Sequence, residues 1–207
     1  MNNIIEIYKK NILAINNSLS IYQYLESQAK NLDATILLRA QFVLIVSAFD
    51  TYVHTLVINK IMDSFFSSDQ AIDIQIDIPL SLAFEIENAN DDEKKEKLYS
   101  FLTKKLSKDS FQSPKSIEYA FAIIGINKIW SQLGEKMNMK SDDVKNTLAI
   151  IVNRRNKIAH ESDWNNITGS YEDIEVDDVL QCKKFIDSLV YAMNDIMACD
   201  ITLITEK

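Results

Sequence analysis

Glycine and proline are scarce in this chain. There are 3 Gly and 2 Pro in 207 residues, and none in residues 1–78. Hairpins, tight loops and barrels need that punctuation, so an all-β fold is close to excluded. Cysteine is equally sparse. Cys182 and Cys199 are too few for a disulfide scaffold or a zinc cluster, and both read as reduced thiols on a helix. Arginine and histidine are rare among the charged residues: Arg39, Arg154 and Arg155, His54 and His160. A formal net charge of −8 and a pI near 4.8 argue against coating nucleic acid or an anionic membrane by bulk charge. They leave room for a local basic groove. Long apolar runs are missing too. The most apolar stretch, Ala40–Phe49, is uncharged but interrupted by Gln41 and Ser47, too short for a bilayer and suited to a buried helix. The N-terminus carries Glu6, Lys9 and Lys10 and no signal-peptide run. The expectation is a soluble cytoplasmic protein with no membrane association.

What is present is helical patterning. Apolar residues make up 47% of the chain, enough to fill one core, and the reading is a single all-α domain over 1–207. Ile5, Tyr8, Ile12, Ile15, Leu19 and Tyr22 alternate spacings of three and four, which predicts a helix over 2–29. Asp33 is an N-cap for a second helix reaching about Phe66. The first half of that helix is apolar nearly all round, which places it in the middle of a bundle. Residues 72–78 alternate strictly, but no second strand of comparable quality exists to pair with them. They read as an extended connector whose isoleucines cover the bundle, with a short strand as the alternative. A charged helix follows over 91–106, its lysines forming a solvated face.

Ser113 and Pro114 start a helix that ends near Gly125. A short helix over 127–139 points Trp130 and Leu133 inward. Ser141, Asp142 and Asp143 cap the next helix, which runs to about His160 and buries Leu148, Ile151 and Val152. Residues 161–182 carry seven acids and no base, a solvated loop followed by the start of the last helix, which spans 176–204.

Two of the three arginines and one of the two histidines fall within Arg154-Arg155-Asn156-Lys157-Ile158-Ala159-His160. On a helix Arg155, Asn156 and His160 span an arc of roughly 140°. Asn156 and His160 are an i,i+4 pair within reach of each other. Cleaving an RNA phosphodiester without a metal needs a group to take the 2′-OH proton, a group to protonate the 5′-oxygen, and a cation on the phosphoryl group. One His cannot stand in two places, but two copies across a symmetric dimer can. Arg155 suits the phosphate because its planar fork binds two oxygens. Asn156 would orient the imidazole or bind a phosphate oxygen. The same cations also suit the negative end of a helix dipole with no site at all.

Arg-Asn-Lys-Ile-Ala-His late in an all-α chain resembles the HEPN family, and so does the apolar helix around Leu38–His54. The stretches Ser110–Ala120 and Gly125–Trp130 resemble its RiboL-PSP-type branch. The resemblance covers nearly the whole chain. It implies a helical bundle with long terminal helices and smaller inserted ones. It also implies a homodimer with both motifs facing one cleft, and a metal-independent endoribonuclease serving as a toxin or an anti-phage effector, leaving 2′,3′-cyclic phosphate ends. By position Arg155 and His160 would be catalytic, with Asn156 beside them and Arg154 and Lys157 binding RNA or supporting the site. No cofactor or metal is implied. The partners would be RNA, a second copy, and an antitoxin or sensor protein. The alternatives are a non-catalytic HEPN module that dimerises and binds a partner or nucleotide, and a helical scaffold with no site.

Ser47, Asp50 and His54 share one face of the second helix. They are not a hydrolase triad, which needs a strained nucleophile turn and an oxyanion hole. Asp50, in an otherwise apolar helix, is expected to pair with Arg154 or Arg155, or to serve as a surface or capping residue. His54 reads as a packing histidine, and Tyr22, Tyr52 and Trp130 as core rather than base-stacking platforms.

Overall fold

The computed structural model describes residues 4–29, 32–66 and 74–202, with side chains described to 198. The Cys199 side chain and the first two residues of the alternating 72–78 stretch fall outside that description. So does the expected end of the last helix at Ile204. Among the described residues the chain forms eight α-helices and one two-stranded antiparallel hairpin, the all-α bundle that the patterning predicts. In chain order these are α1 (Ile4–Gln28), α2 (Thr35–Phe66), α3 (Leu80–Glu87), α4 (Asp91–Leu106), α5 (Pro114–Ile123), α6 (Ile129–Met137), α7 (Ser141–Glu161), β1 (Trp164–Asn165), β2 (Ser170–Tyr171) and α8 (Val176–Thr202).

They are arranged as two compact units that share α2. One unit comprises Met1–Tyr52 and Trp130–Lys207, the other Val53–Ile129. α2 is long and apolar enough to cross a bilayer by length and composition alone, yet 56% of its most apolar window is buried within the fold, as in a core helix.

In the unit holding α1, α7 and α8, the core is built from Tyr8, Ile12 and Ile15, from Leu38, Phe42, Ile45 and Phe49, and from Leu148, Ile186, Leu189 and Met193. The α1 stripe is buried at Tyr8, Ile12 and Ile15 and half-buried at Ile5, Leu19 and Tyr22. Tyr52, Trp130 and Leu133 are all buried. The Tyr8 hydroxyl donates to Asp187 Oδ1 at 2.6 Å, and Lys183 holds the other carboxylate oxygen at 2.9 Å. Burial, and then that hydrogen bond, push the Tyr8 phenol far above its usual pKa, so it stays a donor. Burial likewise pushes the Cys182 thiol up to about 12, which keeps it an unreactive core residue.

In the other unit, α4 presents Leu98, Leu102 and Leu106 and α5 presents Ile117, Ala120 and Phe121 to the interior. Capping boxes at Asn90/Glu93 and Ser113/Ser116 start these two helices, with Pro114 in the first turn of α5. Residues 74–79 form an extended connector with half-buried Ile74, Ile76 and Ile78 alternating with exposed Gln75 and Asp77. Its Gln75 N–H donates to the Ile123 carbonyl at 3.0 Å.

Three local expectations change. α3 was not foreseen, because its apolar residues Leu80, Leu82, Phe84 and Ile86 recur every second position and only Ile86 is buried. Lys140, not Ser141, is the N-cap of α7 and makes no side-chain cap bond. Part of the stretch read as a solvated loop is the β1–β2 hairpin, paired Trp164 to Tyr171 and Asn165 to Ser170.

The start of α7 is set by a close approach. A Cβ on Gly134 of α6 would meet the Met139 carbonyl oxygen at 2.8 Å and the Ser141 nitrogen at 3.1 Å. Both are backbone atoms and cannot swing away. Gly→Ala in a helix ordinarily gains about 1 kcal/mol. Here the clash reverses the sign, and Gly134→Ala should destabilise by roughly 1–3 kcal/mol. A melting temperature at or above that of the wild type would contradict this packing.

Candidate active site

α7 is fixed by Val144, Leu148, Ile151 and Val152, all buried. Each such side chain contributes roughly 1.5–3 kcal/mol on removal from water. Arg155 lies three, four and seven positions beyond Val152, Ile151 and Leu148, so it extends the same stripe past its apolar end. It is half-buried. One Nη donates to the Asn156 amide oxygen at 3.2 Å, while Nε is inaccessible and has no hydrogen-bond partner among the described residues. An unsatisfied buried donor costs roughly 1–3 kcal/mol, so the site holds Arg155 in an environment that does not satisfy it. Asn156 thus serves the guanidinium. No hydrogen bond between Asn156 and His160 is formed among the described residues, although their spacing permits one. His160 and Lys157 are exposed in the last turns of the helix.

Arg154 has a different fate. Its Nη2 donates to Asp163 Oδ2 and to the Asp173 carbonyl, both at 2.8 Å. Asp163, not the expected Asp50, is therefore its carboxylate, and Arg155 leans on Asn156. Asp50 is half-buried on α2. Asp163 was expected in a solvated loop, but its side chain is fully buried. The same Oδ2 accepts from Arg39 Nε at 3.1 Å, and the Arg39 side chain is only 7% exposed. Arg39 also donates to Thr35 Oγ1 at 2.7 Å and to the Glu172 carbonyl at 2.5 Å, and its guanidinium lies 5.3 Å from the Tyr171 ring centre. One carboxylate therefore joins α2, α7 and the hairpin.

The chain reaches that carboxylate through two residues in the left-handed region, Ser162 (φ 54°) and Asp163 (φ 59°). Their N–H groups both turn back to the Lys157 carbonyl. The hairpin then returns across Asn165, whose amide oxygen accepts from Ile167 and Thr168, and Gly169 (φ 68°) closes the turn. Sequence reading missed Arg39 and Asp163. The available signal was Arg39 itself, the one charge between Thr35 and Phe49, since a cation inside an apolar helix demands a carboxylate.

Beside Arg154 opens a cavity of about 350 Å³, with Phe42, Ile150, Ile151 and Phe185 on its apolar side and Asp173 and Asp178 on its polar side. Among the described residues no group of three or more His, Cys, Asp or Glu is placed to hold a metal ion.

Removing the shared carboxylate would leave Arg39 buried without a counter-charge. Asp163→Ala should cost about 3–5 kcal/mol, the order found when one partner of a buried ion pair is deleted. Denaturant unfolding checks this, and a change within about 0.5 kcal/mol, as at an ordinary surface position, would contradict the pairing.

No curated protein and no solved structure matches this chain. The family model described as RiboL-PSP-HEPN matches residues 6–198. That span takes in both units, the Arg39–Asp163–Arg154 cluster and the Arg155–His160 turn, and the chain belongs to the HEPN family in its RiboL-PSP branch.

Proposed function

We propose that this HEPN protein is a metal-independent endoribonuclease acting as a homodimer, with Arg155 and His160 of both copies forming one composite site. The observation that carries the reading is the division between two adjacent arginines. Arg154 is engaged by Asp163 and the Asp173 carbonyl, whereas among the described residues Arg155 has only an amide oxygen for a partner and precedes an exposed His160 by five positions.

In this reading one His160 takes the proton of the RNA 2′-OH while the 2′-oxygen bonds to phosphorus. The bond from phosphorus to the 5′-oxygen breaks, and the second copy's imidazolium gives its proton to the leaving oxygen. The products are a 2′,3′-cyclic phosphate and a 5′-hydroxyl. Arg155 stabilises the charge on the non-bridging oxygens, and Asn156 holds Arg155 in place. Lys157 contacts backbone phosphate. Arg154 supports the site through Asp163, and Asp50 has a supporting role on α2. The chemistry suits a cytoplasmic toxin or anti-phage effector restrained or triggered by an antitoxin or sensor protein. The exposed acids Glu161, Asp173 and Glu175 near the motif favour a second reading, a non-catalytic HEPN module that dimerises and binds a protein or nucleotide.

His160→Ala should lower cleavage by about 10²–10⁴-fold, and Arg155→Ala by a similar factor. Both variants should still fold and dimerise. Cutting should survive EDTA and fail on all-deoxy substrates. Lys157→Ala should weaken binding with a reduced salt dependence. Sedimentation should give a dimer at micromolar concentration. Wild-type dimer that cuts no RNA in a His160-dependent way, with or without cell extract, would leave the binding-module reading in its place.

A further inference from the structure

We infer that Asp163 is a positioning residue for the Arg155–His160 turn, an assignment that rests on the proposed role of those two side chains. The need for such a residue follows from how α7 ends. Beyond Val152 no residue of the helix is fully buried: Arg154, Arg155, Asn156 and Ile158 are half-buried and the others are exposed. Helix ends without buried apolar contacts open locally at little cost. The two left-handed residues after Glu161 are a further strain on this end. Apolar packing therefore does not hold His160 in one place.

The polar cluster does. The Arg154–Asp163 pair closes a loop of chain in which Arg155 and His160 are internal, so the pair brackets both. Asp163 is tied in turn to Arg39, and Arg39 is braced within its own helix by Thr35. Glu172 and Asp173 lend backbone carbonyls to Arg39 and Arg154, which fastens the far end of the hairpin to the same cluster. A buried ion pair adds little net stability because desolvation offsets its attraction, but it does fix register. Transferring a proton to an oxygen demands that register, since misplacement of about 1 Å can cost on the order of a hundredfold in rate.

The test compares full-length wild type with Asp163→Asn, which keeps shape and removes charge, and with Arg39→Lys, which keeps charge and removes the fork. Native-state hydrogen exchange should show the amides of Ile158–Glu161 losing roughly tenfold or more in protection, beyond any loss at residues 148–152. The His160 imidazole resonances should move toward those of an unfolded chain. Where the wild type cleaves RNA, both variants should lose roughly tenfold or more in kcat with KM within about twofold. Equal loss of protection along all of α7, unmoved His160 resonances, or a variant with wild-type kcat would each overturn the assignment. If Asp163→Asn does not fold, Arg39→Lys decides. If the wild type shows no His160-dependent cleavage, the enzymatic reading fails, and the exchange and resonance data alone decide whether Asp163 holds the turn.

Discussion

A carboxylate with no exposed surface, shared by guanidiniums from two distant parts of the sequence, ties the end of α7 to α2. Asp163 and Arg39 are separated by 124 positions. Burying Arg39 and Asp163 is costly, and their attraction offsets that cost only as far as geometry and hydrogen bonds are satisfied; Asp163 Oδ1 is buried with no partner among the described residues, so the load falls on Oδ2. Arg39 meets the condition through Thr35, the Glu172 carbonyl and the face of Tyr171. What the arrangement contributes is placement. The end of α7, the hairpin and α2 are joined through the guanidiniums of Arg39 and Arg154 on that one carboxylate.

That placement gives two neighbouring arginines unlike environments. Arg154 belongs to the framework, and Arg155, proposed for the site, lies on the far edge of an apolar stripe with an unsatisfied Nε. The same helix thus carries a buried half that fixes it and a polar half that is available for chemistry. The acids that follow the motif add a constraint on any RNA substrate. Bulk charge would repel it, so under the proposed function recognition would rest on a few direct contacts at Arg155 and Lys157 and would be sensitive to salt.

Much of the architecture was legible because helices leave local signatures. Asp91–Leu106 and Pro114–Ile123 were readable from caps and charge patterns, and the inward stripe of α7 from its spacing. The alternating isoleucines were rightly read as a connector, since a lone strand has nowhere to place its backbone bonds. Two-residue strands are too short for periodicity to register, and α3 hides behind an alternation of period two. In the site, Arg155, Asn156 and His160 stood out because arginine and histidine are so rare here. Asp163 did not, because among the seven acids of residues 161–182 nothing local separates the buried one from its neighbours. Asp50 was chosen as the counter-charge for a motif arginine because it sits in an apolar helix; the residue in that helix needing a distant carboxylate was Arg39.

The central claim is a chemical one, that His160 moves the protons of a 2′-hydroxyl attack, and the ends of the cut strand report it most directly. Mass spectrometry of RNA fragments made by purified wild type in EDTA should find 2′,3′-cyclic phosphates paired with 5′-hydroxyls, and neither with His160→Ala. Fragments ending in 5′-phosphates, or cyclic ends that persist in the His160→Ala protein, would contradict it.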